Sequence, residues 1–307
     1  MKWLPAVAAV VLAGCGSHGA PPPKVLAVRT AEPGAALDLG AGTSPLAVRL
    51  SDPRDTIDPR FRRPPAAGLL FDVDTGRVLW RRRPTLRRPI ASLTKMMTAL
   101  VVDERLDYAR RVRVTRVALD TTGSAVGLMK PGMRLPVRTL LFGLLLPSGN
   151  DAARVLAQGA AHGSIRRFVG RMNATASRLG LGCSHFNTPS GLEDAHNHSC
   201  AADLAAMARA VLRRPRLARI VGSRSKVLRF PVKGHKLFLY NHNPLLLAGY
   251  RGTTGVKTGF TDAAGPCFVA TATRGSVRLG VVLLDSPDID GQARRLLDEG
   301  FALELRR

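Results

Sequence analysis

The chain has 307 residues, 45% of them apolar, which is enough for a sizeable core and argues against wholesale disorder. Its 46 Lys and Arg against 22 Asp and Glu leave a net charge of +24, which raises nucleic acid as a partner, but only 5% of the residues are aromatic and little is available to stack on bases. Nucleic acid is therefore set aside, and the charge is read as suited to an anionic envelope of wall polymers or acidic lipid headgroups.

Met1-Lys2 is a short positive start, and Trp3 to Ala13 is an apolar run too short to span a bilayer. Leu12-Ala13-Gly14-Cys15 then places small residues before a Cys, which resembles a bacterial lipobox. That likeness implies a signal peptide over residues 1–15, export, and a lipid on Cys15 that anchors the protein to the membrane; an ordinary secretory signal is the alternative. Residues 16–64 are rich in Pro, Ala and Gly with an irregular apolar pattern, and are read as a tether.

From residue 65 to 307 the pattern is that of a folded domain. Ala66 to Trp80 reads as two strands around a D-x-x-T-G turn. The segment starting at Ile90-Ala91-Ser92 carries apolar residues at spacings of three and four and predicts a buried helix. Helical patterns follow over 138–160, 164–180 and 201–213, a hairpin over 225–230 and 235–240, strands over 252–259, 265–273 and 277–284, and a closing helix over 290–304. Strands, then many helices, then strands and a helix imply an α+β domain, with an antiparallel sheet joining both chain ends beside a helical subdomain.

Cys183, Cys200 and Cys267 show no C-x-x-C spacing, and His196 and His198 lack an obvious third ligand, so neither a metal nor a cofactor is expected. Cys183 and Cys200 flank a Pro/Gly/His-containing loop that burial alone holds poorly, and export permits a disulfide there. Cys267 reads as a small buried residue of a strand; three unpaired thiols are the alternative.

Three motifs carry chemistry. Ser92 and Lys95 lie three apart and share a helix face, where a desolvated lysine can take the serine proton. Ser148-Gly149-Asn150 is a polar turn between an apolar run and a helix; Ser148 can relay a proton, and Asn150 can bond a substrate amide or hold Lys95. Lys257-Thr258-Gly259 on a strand offers an ammonium and a hydroxyl to a carboxylate, and Gly259 admits a substrate backbone. Each alone is common. Their order is that of penicillin-binding proteins and class A β-lactamases.

With A-S-L-T-K-M-M-T, M-K-P-G, L-L-L-P-S-G-N-D-A-A, F-N-T-P-S-G-L, N-H-N-P-L-L and G-V-K-T-G-F-T-D-A-A-G, the chain resembles the low-molecular-weight penicillin-binding proteins that are D-alanyl-D-alanine carboxypeptidases, serine peptidase family S11. The resemblance implies the penicillin-binding/β-lactamase-like transpeptidase fold and removal of the terminal D-alanine from peptidoglycan peptides. It also implies covalent inhibition by β-lactams. Ser92 would form the acyl-enzyme, Lys95 act as base, Ser148 and Asn150 complete the proton network, and Lys257 and Thr258 hold the substrate carboxylate. The N–H groups of Ser92 and Phe260 would form the oxyanion hole. Phe260 stands where the family commonly has His, and no Arg occurs around Asp288-Ile289-Asp290, where relatives often use one for the carboxylate. A class A β-lactamase using Glu193 for deacylation and a non-catalytic wall-binding lipoprotein are the alternatives.

Overall fold

In a computed structural model describing residues 44–52, 55–192 and 196–306, five apolar segments pair into one antiparallel sheet. They are β1 (Ala67–Asp72), β2 (Val78–Arg82), β3 (Thr253–Gly259), β4 (Cys267–Arg274) and β5 (Val277–Leu284), in spatial order β2-β1-β5-β4-β3. The first and last thirds of the domain thus share a sheet, with β1 beside β5 from Ala67↔Leu284 to Asp72↔Leu279. The turn between β1 and β2 follows from its sequence. The Asp72 carboxylate accepts from the backbone of Asp74 and Thr75, and Gly76 takes a φ of +76°, which costs a glycine little.

Both faces of the sheet are covered, so its strands read as continuous apolar runs and the period of two sorts them between two cores. Leu70, Val281, Leu283 and Phe268 face the closing helix α7 (Ile289–Glu304) and its Leu296, Leu297 and Phe301. Leu69, Phe71, Val282 and Val269 face the helical side. There α1 (Lys95–Arg105) is buried continuously from Lys95 to Val102, as expected of a helix apolar all round. Around it lie α2 (Val137–Leu145), α3 (Asn150–Ala160), α4 (Ile165–Arg178) and α5 (Ala201–Leu212). No helix among the described residues is long and apolar enough to cross a membrane.

Three features differ from the sequence reading. The helical pattern over 138–160 is broken at 146–149, because Pro147 cannot continue α2 and Ser148 adopts a φ of +64°. The final part of the stretch read as tether, over residues 44–52 and 55–64, lies on the domain. Leu46 and Val48 are buried, Thr56 donates its N–H to the Leu79 carbonyl (2.8 Å), and Phe61 meets Trp80 edge-on at 6.0 Å. Buried Arg209 ties this segment down through the Leu46 and Ala47 carbonyls (2.6 and 2.8 Å). Residues 1–15 with Cys15, and residues 16–43, lie outside the described residues, as does Glu193. A further helix, α6 (Pro215–Val221), was not expected, although Pro215 at its first turn is a start signal.

Cys183 and Cys200 are joined by a disulfide with Cα atoms 5.6 Å apart, and Cys267 is a buried free thiol. The bridge closes a loop with a sequence separation of 17. A loop of that size contributes roughly 3 kcal/mol in the chain-entropy model. The variant C183S/C200S should therefore melt roughly 6–12 °C lower by calorimetry. A melting temperature equal to that of the parent would show that the loop holds its shape without the bridge.

Candidate active site

Ser92 sits on a 3-10 turn, Ala91–Thr94, immediately before α1. The preceding Ala91 is held at φ +47°, an uncommon conformation for alanine that persists only where its surroundings over-determine it. Here Gly191 presses on it: a Cβ on Gly191 would lie 1.9 Å from the Ala91 carbonyl oxygen. Lys95, the first residue of α1, is fully buried. Its Nζ donates to Ser92 Oγ (2.8 Å), Asn150 Oδ1 (2.8 Å) and the Ser190 carbonyl (2.7 Å). All three ammonium protons are thus directed at acceptors. Burial, and next the nearby Lys257 ammonium, hold its pKa well below the usual lysine value, while Asp151 opposes the shift.

Asn150 opens α3 and is locked at both ends. Its backbone N–H bonds to the Ser124 carbonyl (2.7 Å) and its Nδ2 to the Thr122 carbonyl (2.7 Å). Asp151 gathers the same loop by accepting from Val126 and Gly127 N–H at 3.0 and 3.1 Å. Ser148 is strained by its φ of +64°, and its buried hydroxyl has no hydrogen-bond partner among the described residues. A buried orphan hydroxyl on a strained residue is costly in a native fold and points to a group reserved for a ligand.

The third segment is β3, at the sheet's edge. One side of it pairs with β4, Lys257↔Val269, Thr258↔Phe268 and Gly259↔Cys267; its end runs past the serine turn. A Cβ at Gly259 would come within 3.0 Å of the Ile90 carbonyl oxygen and 3.1 Å of the Ser92 nitrogen, so a side chain there would push against the serine turn. The Ser92 N–H is therefore beside the strand whose next residue is Phe260, itself 64% exposed. Lys257 is buried, donates to the Thr258 carbonyl (2.9 Å), and has its pKa lowered to about 7 by burial.

The fold thus brings Ser92, Lys95 and Asn150 into one hydrogen-bonded cluster and sets β3 with Lys257, Thr258 and Gly259 against it. The sequence reading missed the Ser190 carbonyl as the third acceptor for Lys95, and the pressing of Gly191 on Ala91. T-P-S-G signals a turn, but nothing local says which element that turn meets. It also missed His242. Asn241 and Asn243 fix this loop by hydrogen bonds of their own, and the His242 N–H donates to the Leu146 carbonyl (3.3 Å), two residues before Ser148. Burial and then Lys257 lower the imidazole pKa. The Asp288 side chain caps α7 by accepting from Gly291 N–H (2.8 Å). Among the described residues, the Cys, His, Asp and Glu grouping with metal-like spacing is Cys183, Cys200 and Asp203, and its two sulfurs are joined to each other.

A serine hydroxyl bonded to a buried amine, an unengaged hydroxyl and a lysine on an edge strand form a set suited to acyl transfer. The Peptidase_S11 family model, described as D-alanyl-D-alanine carboxypeptidase, matches residues 65–288. The chain is similar to D-alanyl-D-alanine carboxypeptidase DacB2 of Mycobacterium tuberculosis, with 37% identity across 78% of this chain and 83% of that protein. To DacF of Bacillus subtilis it is 33% identical across 77% of this chain, and it spans only 62% of that relative's length. Its fold is similar to the crystal structure of the Streptomyces K15 DD-transpeptidase, with a TM-score of 0.75 and 30% identity over 80% of this chain and all of that one. By these likenesses, and by the ordered motifs that the fold assembles, the chain belongs to the D-alanyl-D-alanine carboxypeptidase family of serine peptidases, S11.

Proposed function

We propose that this protein releases the terminal D-alanine from peptidoglycan stem pentapeptides through an acyl-enzyme on Ser92, and that β-lactams acylate the same hydroxyl. The observation carrying this reading is the buried Lys95 amine, 2.8 Å from Ser92 Oγ. With its proton lost, Lys95 accepts the Ser92 hydroxyl proton as Oγ attacks the carbonyl carbon of the penultimate D-alanine. The oxyanion lies between the N–H groups of Ser92 and Phe260. The C–N bond breaks, and the leaving amine gains a proton through Ser148, whose hydroxyl is uncommitted. Water then attacks the ester, returns its proton along the same route, and frees Ser92. Lys257 and Thr258 hold the carboxylate of the departing D-alanine, and Asn150 fixes Lys95. Incubation with a fluorescent penicillin and with a D-Ala-D-Ala pentapeptide tests the reading. A long-lived adduct with D-alanine release supports it. Rapid penicillin turnover would indicate a β-lactamase, and no label would indicate a binding module.

The two lysines set the pH dependence. Lys95 works as a neutral amine, so activity is lost as pH falls through its lowered pKa. Lys257 works as a cation, so activity is lost as pH rises through about 7. The pair is close enough to titrate jointly, so kcat/KM should be bell-shaped with two apparent values belonging to both. Lys257→Arg keeps its charge and should remove the alkaline limb. An unchanged alkaline limb in that variant would assign the limb to another group.

Family S11 acts on the extracytoplasmic wall, and the anchor is a further part of the proposal. Cleavage before Cys15 and lipidation of that thiol would hold the enzyme at the membrane surface on the Pro/Ala/Gly-rich segment that follows. Metabolic labelling with a fatty-acid analogue should mark the parent and not Cys15→Ala. Equal labelling of both would mean that Cys15 is not the lipid site.

A further inference from the structure

We propose that a groove remote from Ser92 binds a linear, phosphodiester-linked polyanion. The groove has a volume of about 860 Å³ and is lined by Arg111, Arg134, Arg138, Arg229 and His235, with no Asp or Glu among its lining residues. One wall is a small ribbon, Arg111–Arg113 paired with Arg134–Pro136, continuing into the start of α2. The other is the hairpin Ser225–Arg229 and Lys236–Tyr240.

Three observations support an anion site in this groove. Some arginines of the protein are neutralised by carboxylates, as Arg81 is by Asp55 (2.6 Å) and Arg214 by Asp103 (3.0 Å), whereas the groove gathers four with no acid in its lining. Among the described residues, the four groove arginines have no ion pair, although all are exposed. Next, both walls place like charges directly across from one another, Arg113↔Arg134 on the ribbon and Arg229↔Lys236 on the hairpin. Such pairs repel, and an anion held at Arg134 and Arg229, the groove-lining member of each pair, would offset both. Finally, the cationic heads are held in place. Arg111 donates to the Arg134 carbonyl (2.8 Å), and the Arg138 guanidinium and Lys226 ammonium each lie 5.9 Å from the centre of the Phe142 ring.

The guanidinium fork suits phosphate oxygens, and a recess walled on two sides admits a thin chain rather than a flat bilayer. The Tyr and Phe side chains that line the groove, Tyr108 and Phe230, offer little free ring face to a base; the exposed Phe238 and Tyr240 of the hairpin lie outside the lining. The Tyr108 ring lies under Arg216 at 4.8 Å with its hydroxyl bound to Asp103, and Phe230 is buried. Groove and active site occupy opposite ends of the same two elements. α2 runs from Arg138 to the turn holding Ser148, and the hairpin leads from His235 to His242 beside Leu146. A nine-residue helix separates them by roughly 13 Å, so a bound polymer leaves Ser92 open. This inference does not depend on the acyl-transfer reading.

The test is fluorescence anisotropy of a dye-labelled poly(glycerol phosphate) chain with the full-length protein in mild detergent. R134E/R138E/R229E should weaken binding at least tenfold, and the slope of log K against log salt should fall by about two to three. R62E/R63E/R166E makes the same charge change at exposed arginines outside the groove and should cost less than threefold. Penicillin labelling should proceed at the parental rate in the groove variant and with polymer bound. If the glutamate variant does not fold, R134Q/R138Q/R229Q should still lose more than the scattered set. Equal losses in both sets would reduce the binding to net charge and overturn the proposal. So would tighter binding of single-stranded DNA or polyglutamate, capture only by anionic vesicles, or a polymer that blocks labelling.

Discussion

Ser92→Ala is expected to abolish both D-alanine release and penicillin labelling. Among the described residues, Ser92 is the hydroxyl bonded to a buried lysine, at 2.8 Å, and its backbone N–H sits against Gly259, before Phe260, whose N–H is proposed as the second oxyanion donor. Ser148 cannot replace it. That hydroxyl is buried on a strained turn and is not hydrogen-bonded to Lys95. Losing the nucleophile removes the covalent route altogether, and on the precedent of serine hydrolases the rate should fall on the order of 10⁶-fold. The side chain is small and partly exposed, so the melting temperature should barely change. Normal labelling of a folded Ser92→Ala protein would remove the proposed mechanism.

Lys95→Ala should cost at least about 10³-fold in kcat/KM, the range of a lost general base, with further loss because Ser92 and Asn150 lose their common partner. Lys95→Arg discriminates a chemical from a structural role. A guanidinium can still donate to Asn150 and the Ser190 carbonyl but cannot give up its proton in the working range. If Lys95 acts as a base, arginine fails as alanine does, and the acid limb of the pH profile is absent from both residual activities. If Lys95 only positions Ser92 and Asn150, arginine restores much of the rate. Stability gives a second readout. Lys95→Ala should destabilise the fold through the cavity it leaves and through the buried Asn150 and Ser190 oxygens it leaves unpaired, a cost partly offset because the lysine no longer has to be buried.

The legible and the illegible parts of this protein divide along physical lines. Strands buried on both faces, such as Val277–Leu284, announce themselves as continuous apolar runs, and the closing helix is visible through its spacing. The Cys183–Cys200 bridge could be anticipated because loop composition and export both favour it. Ser92, Lys95, Ser148, Asn150 and Lys257 could be singled out because their chemistry is unusual in that order. What could not be read is long-range contact made by backbone. The Ser190 carbonyl that completes the Lys95 shell has no side-chain signature, and Gly191 looks like any turn glycine until Ala91 is found against it. Leu46, Val48 and Leu50 do alternate as a strand would, but the surrounding Pro, Ala and Gly hid that short signal, and their partner Arg209 lies far along the chain. The groove arginines were equally invisible, since each is one among 46 basic residues until the fold brings them together without a carboxylate.

The central claim is that one hydroxyl, that of Ser92, carries the acyl group. The direct measurement is mass spectrometry of the protein after brief exposure to benzylpenicillin, intact and then as peptides. The account predicts a single adduct per molecule, located on the peptide containing Ser92 and absent when Ser92→Ala is treated alike. A stable adduct on any other residue, or a folded protein that forms none, would contradict it.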